Sequence, residues 1–195
     1  MTRRGAPFTG VLLTGGSSSR MGTDKALLVV DGRTMAGRVA DALRAGGAHE
    51  VLAVGGDLTG LRAEGIDARP DDHPGEGPLG GILTGLRLAT QDLVVVLACD
   101  MPAVDAPVVE ALAAALAAAP AADAALAVDA GRVQALTAAY RRRVRPALLE
   151  QFEAGERAAR RAIAPLRVVE VTGLAADALA DVDRPEDLRR YAHPS

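Results

Sequence analysis

The sequence predicts an α/β protein: a mostly parallel sheet with helices on both faces, in a single domain over residues 1–195. Three observations lead there. Short apolar runs alternate with helical patterns along the chain, the order that feeds parallel strands through helical crossovers. One run, Leu93–Ala98, reads Leu-Val-Val-Val-Leu-Ala with no polar alternation, so both its faces must be covered, as in the middle of a parallel sheet. The two segments richest in chemistry-bearing residues, 14–25 and 99–102, both begin where a strand ends, the edge at which open α/β sheets bind ligands. No repeat, low-complexity linker or compositional shift divides the chain.

Taken in order, Phe8–Leu13 is a short apolar run ending in Thr14-Gly15-Gly16, a buried strand followed by a glycine loop. Thr34 can cap a helix whose apolar positions Met35, Val39 and Leu43 recur every four residues, and Gly46-Gly47 stops it. Glu50–Val54 is a second strand, followed by Gly55-Gly56-Asp57. Residues 66–81, rich in Gly, Pro and Asp, read as a long loop, with a helix from Ile82 to Ala89. After Leu93–Ala98, Asp105 can cap a long Ala-rich helix with Pro107 in its first turn, running to about Ala119. Ala124–Val128 and Val133–Tyr140 flank Asp129-Ala-Gly-Arg132 as a hairpin or a pair of adjacent strands. Helices near 145–154 and 156–164 and a strand at Arg167–Val171 follow. Asp183-Arg-Pro-Glu186 then has the form of a capping box opening a last helix.

Composition narrows the function. With 195 residues, 49% of them apolar, the chain can bury a full core, but two Phe, two Tyr and no Trp leave that core to Ala, Val and Leu. A net charge of −3 gives no footprint for nucleic acid or an anionic membrane. No apolar run approaches the roughly 20 residues of a membrane span. The basic start of the chain lacks the long apolar core of a secretory signal, because Gly15 and Gly16 cut the run short. A cytoplasmic location is therefore expected. One cysteine, Cys99, excludes an intrachain disulfide and, following an apolar strand, reads as a buried thiol. Of the 22 basic residues, 21 are Arg; only position 25 keeps Lys, which points to a need for a compact ammonium instead of a planar fork.

The strongest motif is Leu13-Thr-Gly-Gly-Ser-Ser-Ser-Arg-Met-Gly-Thr-Asp-Lys25. Small residues let the Gly15–Ser19 amides face an anion, and Arg20 and Lys25 add full charges, the chemistry of a triphosphate site. The spacing fits neither a Walker A loop nor a Gly-x-Gly-x-x-Gly dinucleotide loop. Asp100 stands at the end of the buried strand beside this loop. Mg²⁺ takes only one or two protein carboxylates and fills its shell with phosphate and water, so a single Asp there is adequate. Gly77-Pro-Leu-Gly-Gly81 either brings backbone close to a ligand at a helix start or is a structural turn. His49, His73 and His193 have no metal-ligand spacing, the Arg141–Arg143 run reads as a solvated face, and no Ser/His/Asp arrangement emerges.

These segments, with Cys99-Asp-Met-Pro102 and Ala154-Gly-Glu-Arg157, resemble the molybdenum cofactor guanylyltransferases (MobA), within the wider nucleotidyltransferase superfamily, over essentially the whole chain from Val11 to Leu188. The loop, the Gly77 segment and the Asp100 turn occur in many relatives that use different triphosphates; Ala154–Arg157 is what favours MobA. The resemblance implies a Rossmann-like three-layer α/β/α sandwich of the nucleotide-diphospho-sugar transferase type, GTP as donor, Mg²⁺ as cofactor and molybdenum-bearing molybdopterin as acceptor. It implies nucleotide contacts from Leu13, Thr14, Gly15, Gly16, Lys25, Asp71, Gly77, Pro78, Leu79 and Asp100, with Arg20, Lys25 and Asp100 as the catalytic set. Asp100 is the implied metal ligand. Asp183 is either a second metal ligand or only the cap of the last helix. Asp72 rivals Asp71 for the nucleoside. Gly155, Glu156 and Arg157 are implied to grip the acceptor, although a helix-to-helix turn explains Gly155 equally well. Where the family carries an Asn near the end of the second strand, this chain has Ala53-Val-Gly-Gly56, with no amide side chain for the base.

The mechanism so implied is in-line attack of the acceptor's terminal phosphate on the α-phosphorus of GTP, with Arg20 and Lys25 stabilising the departing pyrophosphate. The alternatives are transfer from CTP or another triphosphate to molybdopterin or a sugar phosphate, and a non-catalytic nucleotide-binding partner in cofactor assembly. A monomer or weak homo-oligomer is expected, with transient contacts to other proteins of molybdenum cofactor assembly.

Overall fold

The computed structural model describes residues 5–15, 24–182 and 187. Gly16, Arg20 and Asp183, with the capping box at 183–186, lie outside the described residues.

Nine strands and six α-helices follow one another among the described residues: β1 (Phe8–Leu13), β2 (Val29–Val30), β3 (Arg33–Thr34), α1 (Met35–Ala45), β4 (Glu50–Val54), α2 (Leu58–Ala63), β5 (Asp67–Arg69), α3 (Pro78–Leu88), β6 (Leu93–Ala98), α4 (Ala106–Ala118), β7 (Ala124–Asp129), β8 (Arg132–Arg141), α5 (Arg145–Glu153), α6 (Ala159–Ala162) and β9 (Val168–Val171). Seven strands form one sheet in the order β5-β4-β1-β6-β8-β7-β9, and β2 and β3 make a small separate hairpin. Within the sheet only β8 runs against the rest, pairing antiparallel with β6 and β7, while the β4–β5, β1–β4, β1–β6 and β7–β9 pairings are parallel. The Leu93–Ala98 strand is therefore not set in a purely parallel surround; it joins a parallel half to an antiparallel one. Its covered faces follow from the layers on either side.

Period-2 alternation sends successive side chains to opposite layers. Val95 and Leu97 pack with Val39 and Leu43 of α1, Leu61 of α2, and Val108, Leu112 and Leu116 of α4. Val94 and Val96 pack with Leu79, Ile82, Leu83 and Leu86 of α3, Leu148 and Phe152 of α5, and Ala159 and Ala162 of α6. The sheet thus lies between two helical layers, with an aliphatic core on each face.

The caps form as the residue types require. Thr34 Oγ1 accepts from the Gly37 amide at 3.0 Å, and Asp105 Oδ1 accepts from the Val108 amide at 3.2 Å. Residues 66–81 are not one loop. Asp67–Arg69 adds an edge strand, visible only through register because a single residue of the three, Ala68, is buried. The helix expected from Ile82 begins a turn earlier, with Pro78 in its first turn and its fixed φ suited to that place. The helix expected over 156–164 is a single turn at Ala159–Ala162. No helix among the described residues is long and apolar enough to cross a membrane.

Candidate active site

The chain leaves β1 toward β4 and β5 on one side, then returns to place β6 on the other side of β1. The carboxyl ends of β1 and β6 therefore flank a topological switch point, where open α/β sheets form a binding crevice. Register makes the ends level: Leu13 pairs with Ala98 on one side and with Val54 on the other. The three segments that follow β1, β4 and β6 consequently leave the sheet at one height. A further bond from the Cys99 amide to Leu13 O at 3.1 Å carries the pairing one residue past the strands.

A cavity opens at that edge, lined by Leu13, Thr14, Gly15, Asp24, Lys25, Val54, Asp71, Gly77, Pro78, Gly81, Ala98, Cys99, Asp100 and Leu136. Lys25 and Asp100, separated by 75 positions in sequence, face each other across it with Nζ 3.5 Å from Oδ2. Their side chains are 16% and 31% exposed, so both charges remain open to an incoming ligand while being partly shielded from bulk water. Asp100 sits on a turn fixed from several directions. Its carbonyl accepts from the Val182 amide at 2.8 Å, and Arg38 of α1 donates to the Pro102 carbonyl at 2.7 Å. The Val182 contact brings the chain just before Asp183 alongside Asp100.

Thr14 and Gly15 are held down rather than turned outward. Both their amides donate to Val54 O, at 3.1 and 3.2 Å, and the Thr14 hydroxyl lies 2.8 Å from Gly55 O. The Gly15 amide, expected to face a phosphate, is thus occupied by the end of β4. A side chain on Gly55, which sits at φ +81°, would meet Gly15 Cα at 3.0 Å. This close backbone crossing leaves no room for a side chain at Gly55.

Asp71 faces the cavity, accepting from the Thr84 hydroxyl at 2.7 Å and from the His73 amide at 3.0 Å. Asp72 turns away to a two-pronged contact with Arg87 at 2.6 and 2.9 Å, and that guanidinium holds its carboxyl below the usual range. The geometry separates the two acids: only Asp71 lines the site. Gly77 and Pro78 at the start of α3 line it as well, with Gly77 at φ +84° and no side chain capping the helix. Leu79, by contrast, does not line the cavity. It occupies an inward apolar position of α3 beside Ile82 and Leu83 and is fully buried in the core.

The Gly155–Arg157 segment lies outside the cavity lining, against the Gly77 rim, where the Arg157 carbonyl approaches Gly77. Glu156 is engaged internally. Arg161 holds its carboxylate at 2.6 and 2.8 Å, the Arg157 and Ala158 amides add two more bonds, and the group is drawn down to about 2. Arg157 lies 4.0 Å above the Phe152 ring and pairs with Glu76 at 2.6 Å. Gly155 ends α5 at φ +96°, the turn role its type allowed. Arg142 and Arg143 are exposed and Arg141 is half-buried, so the run is largely the solvated face expected, and it also serves the backbone. At the far edge of the sheet they hold the carbonyls of Leu116, Ala122 and Ala89.

Two lining residues, Asp24 and Leu136, are not among those the sequence marks as functional. Asp24 lies within the loop motif directly before the sole lysine, a local signal for its place in the site. Leu136 enters from β8, and nothing local marks it. Cys99 is a lining residue without a reactive thiol, since burial pushes its pKa up to about 12.

A level sheet edge at a switch point, with one ammonium opposing one carboxylate beside Gly15 and a helix start, defines a nucleotide-handling α/β protein. The comparisons with known proteins are more specific. Residues 10–171 match the family described as the MobA-like NTP transferase domain. A probable molybdenum cofactor guanylyltransferase of Deinococcus radiodurans is 35% identical over 182 residues, 93% of this chain and 92% of its own length. Another, from Chloroflexus aggregans, is 33% identical with the same two shares covered. The chain belongs to the MobA-like NTP transferase family. Among solved structures, molybdopterin-guanine dinucleotide biosynthesis protein A from Archaeoglobus fulgidus superposes with a TM-score of 0.76 at 22% identity, covering 94% of this chain and 96% of that one. A Thermus thermophilus 2-C-methyl-D-erythritol 4-phosphate cytidylyltransferase gives 0.68, also at 22%, covering 93% and 95%. Both speak for the shared nucleotidyltransferase fold.

Proposed function

We propose that this protein transfers GMP from GTP to the terminal phosphate of molybdenum-bearing molybdopterin, releasing pyrophosphate and forming the guanine dinucleotide cofactor. The observation that carries this reading is the Lys25–Asp100 pair at the switch point, in a chain whose relatives along nearly their full length are named for that transfer. The new bond joins an acceptor phosphate oxygen to the α-phosphorus as the bond from that phosphorus to pyrophosphate breaks. A phosphate monoester with a second pKa near 6 is largely ionised at neutral pH, so no side chain is needed as base. The protein's part is positioning and charge neutralisation. Lys25, with Arg20 of the preceding loop, holds the β- and γ-phosphates and the departing pyrophosphate. Asp71 accepts from the nucleoside, and the residues of the Gly77 turn bring backbone to it.

The donor set suits Mg²⁺. The cavity offers carboxylate oxygens from Asp71 and Asp100, while both oxygens of Asp24 accept backbone amides; its one thiol is held neutral, and it has no imidazole lining. Among the described residues no three acidic, His or Cys groups gather into a cage. A hard cation arriving with the triphosphate needs only one or two protein carboxylates. Asp100 would hold it, and when bound it supplies charge neutralisation to the polyphosphate.

The test is mass spectrometry of the product formed from GTP, Mg²⁺ and molybdenum-loaded molybdopterin, which should show the GMP adduct. Thermal shift with GTP, CTP, ATP and UTP sets the donor. At 100 times its Kd the true donor stabilises by about 2.7 kcal/mol, a rise of roughly 5–10 °C for a chain of this size. A rise with CTP alone would redirect the reading to cytidylyl transfer.

A further inference from the structure

We propose that Asp24 is the positioning residue for Lys25: its carboxylate ties the lysine-bearing turn to the loop after β4 and so holds the ammonium opposite Asp100. The proposal builds on the reading of Lys25 as the cation that grips the triphosphate.

Lys25 stands on a three-residue 3₁₀ turn, Lys25–Leu27, far too short to fix its own orientation. Two features anchor it. Ala26 is fully buried in the core, which fixes the backbone from below. Asp24 fixes it from the side. One of its oxygens, Oδ1, accepts from the Ala26 amide at 3.0 Å and closes the turn. The other, Oδ2, reaches across 33 positions to accept from the Asp57 amide at 2.6 Å. Asp57 in turn caps α2, accepting from the Thr59 and Gly60 amides at 3.0 and 3.1 Å. The carboxylate therefore links the lysine turn to a helix start that is itself secured.

The space for that link is made by Gly56, at φ +69°. A Cβ there would stand 2.9 Å from Asp24 Oδ2 and 3.1 Å from Thr14 O. Asp24 lines the same cavity as Asp100, yet both its oxygens already accept backbone amides. This separates it chemically from Asp100, whose carboxylate faces an ammonium. The positioning role also explains why the residue beside Lys25 is a short acid: Asp reaches both amides from one Cα.

Because Lys25 is the only lysine, ¹³Cε-lysine labelling gives a single side-chain CεH₂ resonance that reports its environment without any substrate. In Asp24→Ala this resonance should move to the position and narrow width of a freely solvated lysine, while the Tm falls by only a few degrees. Gly56→Ala should produce the same change from the other side of the contact, and it serves if Asp24→Ala does not fold. In pyrophosphate-release assays Asp24→Ala should lower kcat about a hundredfold, the scale of a misplacement near 1 Å. In a Lys25→Met background it should lower kcat no further, because the role runs through Lys25. An unchanged lysine resonance in both variants, or losses that multiply in the double variant, would overturn the proposal. If GTP with Mg²⁺ leaves the wild-type resonance unmoved, the functional reading of the site fails, whereas the nucleotide-free spectra still decide the role of Asp24.

Discussion

Lys25→Arg is the most discriminating change, because it keeps the charge and alters only its shape. The chain uses Arg at 21 of its 22 basic positions, so the substitution follows its general habit and needs a local reason to fail. That reason lies in the 3.5 Å approach of Nζ to Asp100 Oδ2. At an effective dielectric near 20, two unit charges at that distance attract by about 5 kcal/mol before desolvation is subtracted. With both groups partly exposed, the net effect on folding is about 1 kcal/mol or less, so the Tm should change little. Catalysis should change much more. A guanidinium is longer and presents a planar fork that can grip Asp100 at both oxygens. It would then occupy the carboxylate proposed to serve the incoming polyphosphate and would displace the charge from the leaving group. Losing one such preorganised contact costs about 2.7–4 kcal/mol, or 10²–10³ in kcat. The assay is initial pyrophosphate release at saturating GTP and acceptor, with Lys25→Met as the charge-removing control. Lys25→Arg within about threefold of wild type would refute the claim that the site requires a compact ammonium.

Other consequences are equally open to measurement. Thr84 is fully buried and its hydroxyl lies 2.7 Å from Asp71, so Thr84→Val should free that carboxylate to swing and raise the KM for GTP severalfold, by about 1 kcal/mol, with kcat less affected. An unchanged KM would remove Asp71 from the nucleoside site. Asp123 is held well below the ordinary carboxylate range, first by the Arg167 guanidinium, with Arg143 adding to it. Its folded pKa is depressed, so its contribution to stability is present above the unfolded value near 3.9 and is lost as pH falls below it. Asp123→Asn should lower the unfolding free energy from urea titration at pH 7 by about 1–2 kcal/mol and flatten the acid limb of stability between pH 4 and 2; parallel limbs would contradict this. For Cys99 the sign is reversed. With the folded thiol at about 12, an unfolded chain loses its proton near pH 8.5 while the folded one keeps it, so this group lowers stability as pH rises above that point. Alkylation at pH 8 should be slower than that of a model thiol by about three orders of magnitude, and Cys99→Ala should soften the alkaline decline in Tm.

What the residues alone revealed follows from how local each signal is. Leu93–Ala98 was legible because a strand buried on both faces writes an unbroken apolar run, and Phe8–Leu13 and Glu50–Val54 because each ends in a buried apolar stretch, Val11–Leu13 and Leu52–Val54. The caps at Thr34 and Asp105 were legible because a cap is made within four residues. The six residues of α2 were not, since Leu58–Ala63 is less than two turns and buries one side chain. The short hairpin of β2 and β3 was also missed, although its Asp31-Gly32 turn is a hairpin signal, because two residues a side are too few to show alternation. The start of α3 was misplaced because Pro-Leu-Gly-Gly reads as a loop by propensity. Those glycines are kept for contact: a side chain on Gly81 would press on Leu13 of β1 at 3.1 Å.

The candidate site divides along the same line. Lys25 and Asp100 carried a chemical signal in their types and in the strands before them, whereas their opposition depends on which strands become neighbours. That choice is made by a crossover no local pattern encodes: after β5 the chain passes back over β1 and enters the sheet on its other side. Had β6 been added beyond β5, β5 and β4 would stand between it and β1, and the same motifs would have ended three strand spacings apart, at about 4.8 Å each, beyond the reach of one ammonium. The level ending of Leu13, Val54 and Ala98 is equally non-local, since a slip of one residue in β6 would turn its core-facing side chains to the other layer. The burial of Val94–Leu97 against two different helical layers therefore fixes more than stability. It sets the height at which Asp100 leaves the sheet, and with it the 3.5 Å gap on which the proposed chemistry depends.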